Sequence, residues 1–106
     1  MNLNIVVLCG RLATPGQLKV LESGSRLLRL LVTVHSGSPT TRVDVIPVTV
    51  WDPDDEVVEA VSVPDCRVWL TGSIQRRFWE DAGGRRNRLE VVAATVTVKD
   101  SEAVGA

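Results

Sequence analysis

The sequence predicts an all-β domain: a small five-stranded Greek-key barrel with one short helix between the third and fourth strands. Three observations carry this. Valine is the commonest residue, with 19 copies among 106 positions against 11 Leu, 8 Thr and 7 Ala, and β-branched side chains suit a pleated surface better than a helix. Apolar residues alternate with polar ones at a period of two between turn signals. A single stretch, Asp54–Val61, has helical spacing. The length fits one domain, expected over 1–100 with a short disordered tail over 101–106.

The first strand, Asn2–Leu12, is apolar at both parities (Leu3, Ile5 and Val7; Val6 and Leu8), so both of its faces should be covered. Lys19–Leu21 continues it after the Pro15-Gly16 break. Glu22–Ser25 is a turn into the second strand, Arg26–His35, and Ser36–Thr40 is a loop. In the third strand, Thr41–Trp51, Ile46, Val48 and Val50 point one way, and Val45, Thr49 and Trp51 the other. Pro47 lacks a ladder donor and implies an edge or a bulge there. Asp52 or Asp54 can cap the helix, Asp55 and Glu56 suit its N-terminal dipole, and Val57, Val58 and Val61 form its apolar side.

The fourth strand begins at Cys66, with Val68, Leu70, Gly72 and Ile74 inward and Arg67, Trp69, Thr71, Gln75 and Arg77 outward. The last strand, Leu89–Lys99, slips its apolar phase between Val91 and Val96, as a β-bulge in a curved strand does. This order of elements is that of the OB-fold; an SH3-like barrel and a small sandwich are its rivals.

Composition narrows the function. The longest wholly apolar run is Ile5–Cys9, too short to span a bilayer, and the N-terminus lacks the features of a secretion signal. A cytoplasmic protein is expected. Cys9, Cys66 and His35 offer no CxxC spacing and little material for a metal or a Cys/His catalytic pair. Both thiols are expected at inward positions, as small hydrophobes, with a redox disulfide between neighbouring strands a minor alternative. His35 is read as a loop residue. No enzyme, cofactor or small-molecule substrate is indicated.

The net charge of −1 conceals an asymmetry. Asp52, Asp54, Asp55, Glu56 and Glu59 crowd the helix, whereas Arg76, Arg77, Arg85, Arg86 and Arg88 fall within thirteen residues. Asp81–Gly84 is a turn signal, so these arginines should lie on the two arms of a protruding hairpin around Phe78 and Trp79. Arg pairs bidentately with phosphate and Trp offers a face to any base. Interleaved on a hairpin, they suit a single strand of nucleic acid; a solvated hairpin with an aromatic tucked onto the barrel is the plain alternative. Trp51 and Trp69 both take the outward parity, where a large aromatic calls for a ligand, a loop or a subunit to cover it.

From Asn2 to Lys99 the sequence resembles the bacterial single-stranded DNA-binding protein family. The resemblance rests on Val7-Leu-Cys-Gly-Arg-Leu12 with Pro15, Ser23-Gly24, Arg29–Val34, Val45–Trp51, Val68–Ser73, Arg76–Gly84 and Leu89–Ala93, in that order and spacing. It implies an OB-fold that assembles as a homotetramer, pairing its first strand with a copy, and binds single-stranded DNA without sequence preference in replication, repair or recombination. It implies stacking by Trp51 and Trp79, with Trp69 and Phe78 as further candidates, and phosphate contacts from the hairpin arginines. Arg11, Arg26, Arg29 and Arg42 are further candidates around the barrel. A nucleoid-associated location follows from the same resemblance.

The sequence also departs from the family. An aromatic usual near the end of the second strand is absent around His35–Pro39, and a family Trp matches Val45. At about 1–3 kcal/mol per stacked base, the loss of two positions lowers the affinity expected per subunit. The usual long tail with an acidic tip is not in this sequence, which ends at Ser101–Ala106; either the sequence is shortened or the protein lacks that recruiting function. Two other readings are a tail-less, dimeric OB-fold adaptor like primosomal replication protein N, and an OB module for protein–protein interaction in which Trp51 and Trp69 form an interface.

Overall fold

The computed structural model describes residues 1–37 and 40–99; the expected tail over 101–106 lies outside the described residues. Six strands and one helix follow in order: β1 Val6–Leu12, β2 Gln17–Val20, β3 Arg26–Ser36, β4 Arg42–Trp51, α1 Asp55–Ala60, β5 Arg67–Asp81 and β6 Gly84–Lys99. The sheet runs β1-β5-β6-β4-β3-β2, and a β1–β3 pairing closes it. β1 and β2 are the two halves of the expected first strand, interrupted at Ala13–Gly16, so this is the five-stranded OB barrel with the helix where it was expected. The β4–β6 pairing is parallel and the rest are antiparallel.

Leu28, Leu30 and Val32 of β3, Val48 and Val50 of β4, Val68 and Leu70 of β5 and Val91 of β6 fill the barrel. Each such side chain contributes roughly 1.5–3 kcal/mol when withdrawn from water. Val61, just past α1, plugs one end, and its carbonyl accepts a hydrogen bond from the Gly16 N–H at 2.9 Å. Asp54 is the N-cap without a side-chain cap bond; Asp52 instead accepts from the Arg26 backbone N–H at 2.9 Å.

The phase slip in the last strand is a bulge. Thr71 pairs with Thr95 but Gly72 pairs with Ala93, leaving Ala94 as the extra residue. A Cβ at Gly72 would collide with the Val92 backbone carbonyl, so glycine is needed where the two strands bend. Pro47 pairs with Leu31 of β3, whereas β4 meets β6 only at Val48 and Thr49. Its missing N–H therefore falls where one side of β4 has no ladder.

β5 and β6 continue past the barrel as one long hairpin. β1 leaves β5 at Gly72 and β4 leaves β6 at Val91, yet the two strands stay paired to Asp81↔Gly84. The expected arms are thus extensions of the barrel strands. At the tip the Asp81 carboxylate accepts from the Gly83 N–H at 2.8 Å, and Gly84 takes a φ of 107°.

Three expectations are corrected. β1 begins at Val6 and not at Asn2; residues 2–5 are held to the hairpin base by Asn4, whose amide donates to the Ile74 carbonyl at 2.7 Å and accepts from the Ile74 N–H at 2.8 Å. Cys9 is exposed and not inward, because Val6 and Leu8 are the residues that pack toward the core. It pairs with Trp69 on the outer face while Cys66 is buried, so the two free thiols lie on opposite sides of the barrel wall. His35, read as a loop residue although it closes the expected second strand, lies within β3 opposite Val43.

Candidate nucleic-acid interface

Cross-strand partners share a face of a sheet, so the register sorts the hairpin side chains. Arg77 pairs with Arg88 and Trp79 with Arg86, which puts three arginines and the indole on one face. Arg76 pairs with Leu89, Phe78 with Asn87 and Glu80 with Arg85, which puts Arg76, Phe78 and Arg85 on the reverse. The five arginines singled out in the sequence therefore divide between two faces, with one aromatic on each.

The Trp79 face continues onto the barrel. Arg29 of β3, which pairs with Thr49 of β4, joins Arg77, Trp79 and Arg88 in lining one groove. The Arg88 guanidinium lies over the Trp79 ring, 5.9 Å from its centroid, a cation–π contact that covers one face of the indole, and the side chain remains 37% exposed. A second groove runs beside the first and shares Arg77 with it. Its lining includes Leu27, Thr49, Trp51, Arg76, Arg77 and Glu90. Trp51 is half exposed in this lining, beside buried Leu27, its partner on β3.

Electrostatics distinguish these side chains from the ion-paired arginines. Among the described residues, no carboxylate lies within ion-pair distance of Arg29, Arg77 or Arg88. Arg11 is paired with Asp65 at 3.3 Å, Arg26 with Asp55 at 2.9 Å, Arg42 with Asp44 at 3.1 Å and Arg86 with Asp81 at 3.4 Å. Arg76 donates to the Asn87 amide oxygen. Arg67, Arg76 and Arg85 are likewise without a carboxylate partner among the described residues; Arg29, Arg76, Arg77 and Arg88, four of these six unpaired arginines, line the two grooves.

Trp69 is not in this array. It pairs with Cys9 of β1 and Thr97 of β6, and together with exposed Val7 and Cys9 it forms an apolar surface on the β1 side of the barrel. Arg11 and Arg67 border a separate groove at that end, with His35. Sequence reasoning missed Glu90 and Thr49. Both are buried on the outer face, where the Thr49 hydroxyl donates to the Glu90 carboxylate. Alternation around Val91 marks Glu90 as outward but cannot reveal that the hairpin base and Thr49 bury it.

Comparisons with known proteins agree with this fold. A family model described as the single-strand binding protein family matches residues 3–99. The single-stranded DNA-binding protein of Treponema pallidum is 28% identical over 110 residues, covering 99% of this chain and 62% of its own length. Single-stranded DNA-binding protein 1 of a Nostoc species is 32% identical over 88 residues, covering 83% of this chain and 74% of the relative. The chain therefore spans about three-fifths to three-quarters of the length of these relatives. Among solved structures, a Plasmodium falciparum SSB in complex with ssDNA superposes with a TM-score of 0.72 at 18% identity, covering 92% of this chain and 94% of that one; this likeness is one of fold. The matched family is one of binding proteins and not of enzymes. With its model matched over nearly the whole barrel and hairpin, the chain belongs to the single-strand binding protein family.

Proposed function

We propose that this protein binds single-stranded DNA without an overall sequence requirement, as a coating protein in replication, repair or recombination. The observation that carries the reading is the groove in which Trp79 stands among Arg29, Arg77 and Arg88, three cations without a carboxylate partner among the described residues. A strand laid along it stacks a base on Trp79, passes its phosphates over the guanidinium groups, and reaches Trp51 through the adjoining groove. Family membership and the relatives named as single-stranded DNA-binding proteins support the same reading.

Trp51 and Trp79 are the stacking residues in this proposal. Arg29, Arg77 and Arg88 are the principal phosphate contacts, and Arg86 can join them by leaving Asp81, since an exposed ion pair is worth only about 0–1 kcal/mol. Arg76, Arg85 and Phe78 on the reverse of the hairpin are secondary. Arg11, Arg26 and Arg42, each held by an acid, contribute least. Trp69 serves self-association: the outward face of β1, carrying Val7 and Cys9 beside it, is the surface through which a homotetramer assembles. A cytoplasmic, nucleoid-associated location follows from the function.

Titration with oligo-dT while following tryptophan fluorescence, at two salt concentrations, tests the proposal. Quenching that weakens as salt rises is expected, because stacking covers the indoles and each neutralised phosphate releases counterions. Absence of both quenching and complex formation at low salt would overturn it.

A further inference from the structure

Glu90 is out of place in a groove meant for a polyanion. Only 6% of it is exposed, and it lines the same groove as Trp51 and Arg77. A buried carboxylate is costly unless it is paired or hydrogen-bonded, and ion pairing is not what retains it: among the described residues no Lys or Arg nitrogen lies within 4.0 Å. Thr49 is its one hydrogen-bond donor among the described residues. Thr49 engages one carboxylate oxygen, the second is not both fully buried and without a partner, and Glu90 and Thr49 both line the groove.

A phosphate cannot sit against that carboxylate, since two anions at contact repel in this partly desolvated site. A base edge carrying N–H donors can. Thr49 and Trp51 stand on the same face of β4, two residues and so about 7 Å apart, which is the span of a base. A base stacked on Trp51 with its sugar toward Arg77 turns its Watson–Crick edge toward Thr49 and Glu90. Cytosine and adenine offer an exocyclic amine there, and guanine offers N1–H and the 2-amine side by side. Thymine offers one N–H flanked by two carbonyl oxygens, which the carboxylate repels.

We propose that Glu90, positioned by Thr49, reads the base stacked on Trp51 and favours bases with an exocyclic amine over thymine. The strand remains bound whatever its sequence, but at this one position its composition is sensed. This inference rests on the proposed single-strand binding and adds a specificity-determining residue to it.

The test compares oligo-dT with oligo-dC on the wild-type protein and on Glu90→Gln, which keeps the side chain's shape and an acceptor for Thr49 while adding a donor for a thymine carbonyl. The affinity ratio of dC to dT should shift toward dT by about tenfold in Glu90→Gln, as expected for losing a charge-assisted hydrogen bond on one base and relieving repulsion on the other. An oligomer with 2-pyrimidinone in place of cytosine, lacking only the amine, should bind the wild-type protein several-fold more weakly than oligo-dC; this arm does not depend on a variant folding. Equal changes for dT and dC in Glu90→Gln, or no effect of removing the amine, would overturn the role of Glu90 while leaving single-strand binding intact. Failure of every oligomer to bind the wild-type protein at low salt would overturn the binding proposal itself.

Discussion

In the proposed function Trp79 and Trp51 do the same chemical work from different supports, and their substitution should show it. Trp79 is carried by the hairpin and braced by Arg88; Trp51 ends β4 beside buried Leu27. Replacing either by alanine should weaken oligo-dT binding by about 1–3 kcal/mol, measured by titration, with the far-ultraviolet circular dichroism unchanged. Trp69→Ala should leave binding per subunit nearly intact, because its ring faces the β1 side. Cys66 gives a pH-dependent prediction. Burial, the largest cause, pushes its thiol above the ordinary value of 9.0, aided by Asp65 and opposed by a backbone hydrogen bond. A raised value means that the unfolded chain loses this proton first. Its contribution is therefore complete below the unfolded value and is lost as pH rises through the folded one. Urea unfolding of Cys66→Ala should be less stable at neutral pH and should lack the part of the alkaline decline that the thiol causes. At this scale the sequence is only partly legible. The Leu3–Cys9 run is apolar at both parities, so alternation alone does not decide which set faces the core. Pairing of Leu8 with Leu70 decides it, and turns Cys9 outward.

At the scale of elements, the hairpin is the part whose design the sequence conveys most fully. Asp81–Gly84 announces the turn, and the arginines and aromatics announce the charge and the proposed stacking surface. Strand order and the bulge in β6 are equally legible, because a period of two that changes phase has few other causes. What a local pattern cannot convey is the division of the hairpin into two faces, since that depends on the register set by the two-residue turn and carried through the long ladder. Nor can parity separate Trp51 from Trp69. In a closed barrel every outward residue is outward, and the surface wraps from the groove to the β1 side. The two-faced hairpin has a measurable consequence. Replacing Arg77 or Arg88 by alanine should lower the steepness of log affinity against log salt by about 0.7 each, the value for one lost contact on a single strand. Arg76→Ala and Arg85→Ala should change it much less, although all four lie within the same short segment. Equal effects from the two pairs would mean that the strand wraps both faces.

For the whole molecule the open question is what covers the outer face of β1. Leu3, Ile5 and Val7 are 77%, 67% and 61% exposed, and Trp69 beside them is half exposed. A contiguous apolar surface of this kind is unusual on a protein that remains single in solution. The same strand pairs with β5 over Val6–Arg11 but with β3 only at Arg11 and Leu12, so most of its other edge has no strand partner among the described residues. An exposed edge with apolar side chains is a template for a second copy of itself, and pairing two β1 strands across a two-fold axis satisfies both features at once. Val7→Glu places a charge in the middle of that surface without touching the core, the grooves or the hairpin. It should shift the molecular mass measured by light scattering from that of a tetramer toward smaller species. Cys9, next to Val7 on the same strand, should become reactive to a thiol reagent in the variant while remaining protected in the assembled wild type, and Cys66 should stay protected in both. Oligo-dT should still quench the variant, with lower affinity for long strands that bridge several subunits. A wild-type mass of a dimer would point instead to the adaptor type of OB protein. A monomer with freely reactive Cys9 would leave the apolar face to a different partner.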